Sequence, residues 1–113
     1  LKQWMINMLH EPRPIMMIKD YYRAGIKRAL KTFQYALDDA IEAKLPLMEM
    51  PTLVAYGSRD AFVPHYWAEE VASRLPDSQL VCVPGATHSL VMYEPGKLSR
   101  LITSFIKGER AIA

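Results

Sequence analysis

The hydrophobic period of this chain changes once, near Leu45-Pro46, and a chain with two periods must build two kinds of structure. Before that point apolar residues recur three or four apart. Trp4, Met5, Met8 and Leu9 form one such group, Pro12 and Pro14 interrupt it, and Ile15, Ile18 and Tyr22 resume it until Gly25. Proline lacks the N–H that a helix interior needs, and glycine tolerates the conformation that ends a helix, so two short helices are expected here. A third follows with Ile26, Leu30, Phe33, Leu37 and Ile41 on one amphipathic stripe. Residues 1–45 are expected to be all-helical.

After Pro51 the signal becomes strand, helix, strand, helix. Thr52-Leu53-Val54-Ala55-Tyr56 is a short apolar run closed by Gly57, and its lack of clean alternation suits an interior parallel strand covered on both faces. Pro64 fits the first turn of a helix, where its missing N–H is not needed. Trp67, Val71 and Leu75 then line one face until Pro76-Asp77. Leu80-Val81-Cys82-Val83 is the next apolar run, ending at Pro84-Gly85. A last helix from about Pro95 is expected to carry Leu98, Leu101, Ile102 and Phe105 inward. The expected unit for 46–113 is β-α-β-α with parallel strands and a right-handed crossover.

Length and charge narrow the function. At 113 residues the chain has room for one ordinary domain, and its 50% apolar and 23% charged residues are near the globular average. A net charge of +2 is too small an excess for a protein whose affinity comes from neutralising many phosphates, so no nucleic-acid partner is expected. Residues 1–45 hold eight basic and five acidic side chains, residues 46–113 six and seven. Cys82, the single cysteine, can form neither an internal disulfide nor a thiolate metal cluster, and reads as a buried strand residue. Apolar runs of only a few residues fall far short of the roughly 20 needed to cross a bilayer as a helix, so no transmembrane segment is expected. The chain begins at Leu1 and carries no signal-like apolar block, so a fragment or processed chain with a cytoplasmic location is the expectation.

The topology points to one place for chemistry. The loops 57–64 and 84–93 both follow the carboxyl ends of their strands and must emerge side by side on one edge of the sheet, where open α/β sheets bind ligands. Asp60 is the only carboxylate on the first loop and His88 the only imidazole on the second. Parallel strands lie about 4.8 Å apart, so the two side chains can meet. An Asp that holds a His fixes its tautomer and stabilises the imidazolium, which is what a general base needs. The competing reading is structural, with Asp60 capping the following turn or helix and His88 filling a loop.

Three segments in order carry a family resemblance: Gly57-Ser-Arg-Asp60-Ala-Phe-Val-Pro64, Pro84-Gly-Ala-Thr-His88 with its His 28 residues after the Asp, and Tyr93-Glu94-Pro95 leading into the last helix. Over about 46–107 the chain resembles the carboxyl-terminal half of the α/β-hydrolase fold, and 1–45 is similar to the helical cap, or lid, inserted before its last strands. The resemblance implies that Asp60 is the triad acid and His88 the base of a serine hydrolase acting on an ester or a similar small apolar acyl compound, without metal or organic cofactor. The family's nucleophile sits in a G-x-S-x-G elbow on an earlier strand. No such elbow is present, since the serines at 58, 73, 78, 89, 99 and 104 lack its flanking glycines. The implied partners are therefore a small-molecule substrate and a missing amino-terminal half, and the 113 residues alone are expected to be inactive. An upstream Asp nucleophile would instead imply epoxide or haloalkane hydrolysis, and no nucleophile at all a binding module on the same fold.

The remaining candidates are weaker. Val63, Ser89 and Leu90 are placed to line a substrate pocket beside the pair. Met5, Met8, Met16 and Met17 suit either core filling or an adaptable apolar pocket. Lys19, Arg23, Lys27 and Lys31 fall four apart and read first as a solvated face. Asp38, Asp39 and Glu42 cluster without a nearby His, which favours a helix end over a metal site, and His10 and His65 read as helix-terminal residues.

Overall fold

The computed structural model describes residues 14–113. The first expected helix, with Trp4, Met5, Met8 and Leu9, lies outside them, as do His10 and the side chains of Met16 and Met17. Helix α1 (Pro14–Ala24) stops at Gly25, whose φ of 86° is open to glycine and strained for other residues. Helix α2 runs from Ile26 to Asp38. The expected stripe is shorter than the periodicity suggests, because Asp39 takes an extended conformation and Ile41 starts a separate turn, α3 (Ile41–Lys44). The acidic cluster sits at that break: Asp39 accepts an ion pair from Lys44, and Asp38 a hydrogen bond from Gln34 at 2.9 Å. Ile26, Leu30, Phe33 and Leu37 are 63% to 65% exposed, and no residue of α2 is buried.

A 3₁₀ turn (Leu45–Leu47) leads to strand β1 (Thr52–Gly57), followed by α4 (His65–Arg74), strand β2 (Ser78–Val83), a short α5 (Leu90–Tyr93) and α6 (Pro95–Ile106). The two strands pair in parallel with Thr52 opposite Ser78 and Gly57 opposite Val83. Pro64 stands at the cap before α4, with His65 as its first residue. Helix α6 begins with Pro95 at its first turn and ends in a Schellman motif. There Gly108, at φ 73°, donates to the Phe105 carbonyl and Glu109 to that of Ser104.

The strands' alternation divides the sheet into two faces. Val81 and Val83 turn to one side with Leu53 and Ala55, and pack with Ala86, Leu90, Leu101 and Ala111 into the main core. Val83 and Leu101 are 0% and 1% exposed, so each contributes about 1.5–3 kcal/mol by burial. Gln79 pins the tail to this face, its Oε1 accepting the Ala111 N–H at 2.9 Å. Ile102, expected inward, is 43% exposed; Leu98, Leu101 and Phe105 already fill the stripe facing the sheet, and Ile102 lies one step round from Leu101. On the second face Ser78 Oγ donates to the Ala72 carbonyl at 2.8 Å, tying α4 to β2.

Cys82 lies on this second face and is exposed, which corrects the expectation of a buried thiol. The uninterrupted run Leu80–Val83 hides a period-two pattern in which Val81 and Val83 are buried while Leu80 and Cys82 face away. Cys82 stands opposite Tyr56, and its hydrogen bond is the main reason the Tyr56 phenol is raised above its ordinary 10.0, with burial and the charges of Cys82 and Glu69 adding to it. Among the described residues no helix is long and apolar enough to cross a membrane.

The two strand ends are joined by an unusually close approach. A Cβ at Gly57 would stand 2.3 Å from the Ala86 carbonyl oxygen and 2.7 Å from that of Thr87, so only a glycine fits. Around it, the Ser58 N–H donates to Val83 O at 3.0 Å and the Arg59 N–H to Ala86 O at 2.9 Å. Pro84-Gly85, with Gly85 at φ 76°, forms the turn that starts the second loop, closed by the Ala86 N–H on Val83 O. Gly57→Ala is expected to destabilise the fold by about 1–3 kcal/mol, the usual cost of overpacking, read as a lowered denaturant midpoint. In alkaline absorbance titration, the difference between the unaltered protein and Tyr56→Phe should place the Tyr56 phenol above 10.0, and Cys82→Ala should bring it down. Since the folded state holds that proton more tightly, its contribution to stability is whole below the unfolded value and is lost as pH rises through the folded one.

Candidate active site

The parallel register ends both strands at the same level, so the loops after Gly57 and after Val83 leave the sheet side by side. Asp60 lies three residues into the first. Its N–H donates to the Gly57 carbonyl at 3.0 Å, and its Oδ1 accepts the N–H groups of Phe62 and Val63, both at 2.9 Å. An aspartate that satisfies two backbone donors in the turn following it cannot swing freely. Its side chain is only 7% exposed, and the second oxygen, Oδ2, lies 3.0 Å from Nδ1 of His88.

The two carboxylate oxygens of Asp60 therefore have different partners. Oδ1 organises the loop and Oδ2 meets the imidazole. With the proton of His88 on Nδ1 and directed to Asp60, Nε2 keeps its lone pair and can accept a proton from elsewhere. The His88 side chain is 47% exposed. Phe62 supports it from the side, with ring centroids 5.2 Å apart and planes inclined at 54°.

A cleft of about 240 Å³ is lined by Asp60 and His88 together with Val54, Tyr56, Val63, Trp67 and Leu90. It is largely apolar, with the acid and base set together. Val63 and Leu90 thus line the cleft, whereas Ser89 is not among its lining residues: its carbonyl accepts the N–H groups of Met92 and Tyr93 and starts α5. Among the described residues no serine hydroxyl is bonded to His88. Ser58 Oγ accepts the Gly85 N–H at 2.8 Å, and Ser73 and Ser78 donate to helix carbonyls.

Sequence reasoning did not find Phe62, the Ser58 contact or Tyr56 as parts of this site. An aromatic residue two places after a loop aspartate was the available signal for Phe62. For Ser58 it was a serine just past a strand end, where side chains commonly bond nearby backbone. Nothing in the spacing marks Tyr56 as a wall of the cleft.

The chain also resembles known proteins. The family described as TAP-like protein, a group of α/β-hydrolases, matches residues 31–109. The chain is 30% identical to the mouse serine hydrolase BPHL over 56% of its length, and 30% identical to the pimeloyl-[acyl-carrier protein] methyl ester esterase of Neisseria meningitidis serogroup B over 96%. Its fold is similar to that of an α/β-hydrolase enzyme from the metagenome of lagoon sediments of Mar Chica, Morocco, with a TM-score of 0.75 at 22% identity over 86% of this chain. The chain spans less than half the length of each: 22% of the mouse enzyme, 44% of the Neisseria esterase and 45% of the solved enzyme. A parallel β-α-β-α unit, two strand-end loops that place an aspartate against a histidine, and a family match over most of the residues agree: this chain belongs to the TAP-like family of the α/β-hydrolase superfamily.

Proposed function

We propose that Asp60 and His88 are the acid and base of a Ser-His-Asp triad in a hydrolase of esters or similar small apolar acyl compounds, its serine supplied by residues outside this chain. The observation that carries this reading is the 3.0 Å contact between His88 Nδ1 and a 7% exposed Asp60 whose other oxygen is held by two backbone N–H groups. A carboxylate fixed in this way orients an imidazole; a merely structural cap would not need its second oxygen there. The apolar cleft supports the substrate class, as does the name of the Neisseria relative, a methyl ester esterase.

In the proposed reaction His88 Nε2 takes the proton of the serine hydroxyl as its oxygen bonds to the ester carbonyl carbon, and Asp60 stabilises the imidazolium. Collapse of the tetrahedral intermediate breaks the bond to the leaving alkoxide, which takes the proton from His88. Water then gives a proton to His88 and attacks the acyl-enzyme; the acid departs and the serine recovers its proton. These steps need no metal or organic cofactor. Residues 1–45 would act as the cap, since the exposed apolar stripe of α2 is suited to lie over a core completed by residues outside this chain.

The test is ester turnover by the complete protein. His88→Ala and Asp60→Asn are each expected to lower kcat by about 10³-fold or more, as loss of a triad member does. Turnover that survives both substitutions would overturn the assignment and favour a binding module. Purified 1–113 is expected to release no product above buffer; rates that exceed buffer and vanish with His88→Ala would show that the nucleophile lies within this chain.

A further inference from the structure

The contact between Asp60 and His88 joins two loops that are distant in sequence, so its length depends on whatever sets the loops' separation. Among the bonds that cross between them at their bases are Ser58 N–H to Val83 O at 3.0 Å, Arg59 N–H to Ala86 O at 2.9 Å, and Gly85 N–H to Ser58 Oγ at 2.8 Å. The first two are backbone bonds and survive almost any substitution. The third is the only one of them made by a side chain. Ser58 stands two residues before Asp60, and Gly85 three residues before His88, at the positive-φ position of the turn that launches the second loop.

We infer that Ser58 is a positioning residue for the acid–base pair: its hydroxyl oxygen holds the Gly85 N–H and thereby fixes the pitch at which the Pro84–Thr87 leg delivers His88 to Asp60. The inference rests on the triad reading above. Ser58 is exposed, its hydroxyl oxygen is taken by the Gly85 N–H, and among the described residues no hydrogen bond joins it to His88. Without its hydroxyl the close packing at Gly57 and the two backbone bonds still hold the loops near each other. The Gly85 N–H then turns to water, and the leg carrying His88 gains a degree of freedom that catalysis, sensitive to displacements of an ångström, registers while the fold does not.

The experiment is steady-state ester hydrolysis by the complete protein carrying Ser58→Ala, Ser58→Thr, His88→Ala and the double variant Ser58→Ala/His88→Ala, with a melting curve for each. Ser58→Ala is expected to lower kcat about 3- to 10-fold, the scale of one net hydrogen bond. KM should stay within about twofold and the melting temperature close to unaltered, because substrate binding and core packing are untouched. Ser58→Thr, which keeps the oxygen, should restore kcat. In the His88→Ala background the addition of Ser58→Ala should cost nothing, since the residue acts through His88. An unchanged kcat in Ser58→Ala while His88→Ala is inactive would overturn the role of Ser58 and leave the triad standing. An equal loss in both backgrounds, or no rescue by Thr, would likewise overturn it. Full turnover in His88→Ala would overturn the triad and this inference with it.

Discussion

The close approach of Gly57 to the Ala86 carbonyl is the constraint on which the rest of the site depends. Two parallel strands by themselves set only the spacing of their axes. The loops that leave them could splay, and a carboxylate on one would then face solvent. Here the absence of a Cβ at residue 57 lets the backbone of the second loop fold over the end of the first strand. The bonds from Ser58 and Arg59 lock that position. Everything downstream, from the Pro84-Gly85 turn to the placing of His88, is built on this contact.

Asp60 then couples loop shape to the contact with His88. Its Oδ1 is occupied by two backbone donors, which shape the turn leading toward Pro64 and α4, and its Oδ2 reaches the imidazole. One side chain thus satisfies donors in its own loop and orients a group on another. Removing its charge would disturb both, whereas replacing Ser58 disturbs only the relation between the loops. The separation is useful because the fold and the site share the same few residues, and most substitutions here alter the two together.

Much of this was legible in the sequence. The period change at Leu45-Pro46 marks where the helical segment gives way to the sheet, and Gly57 and Gly85 mark both strand ends. That Asp60 and His88 can meet follows from the topology, and the family resemblance favours that pair over a merely structural reading of the two residues. What escaped did so for physical reasons. The helical stripe through Ile41 is broken at Asp39, because a period counts apolar positions and does not register where the backbone turns extended. Cys82 and Ile102 belong to apolar runs in which every residue looks equally suited to burial, and only the partners packed on each face decide which turns inward. The ring of Phe62 meets His88 through a turn whose shape depends on the hydrogen bonds to Asp60.

The described residues leave an apolar stripe on α2 uncovered and hold an acid and a base with no serine hydroxyl bonded to the histidine. Both features fit a chain that spans less than half the length of its relatives. The central claim concerns a single proton, and the direct measurement is the nitrogen-15 NMR spectrum of His88 in the complete protein near neutral pH, assigned by comparison with His88→Ala. Asp60 is expected to hold that proton on Nδ1, giving an Nδ1–H resonance that disappears in Asp60→Asn. A ring that carries its proton on Nε2, or that interconverts between the two forms as free imidazole does, would contradict the account.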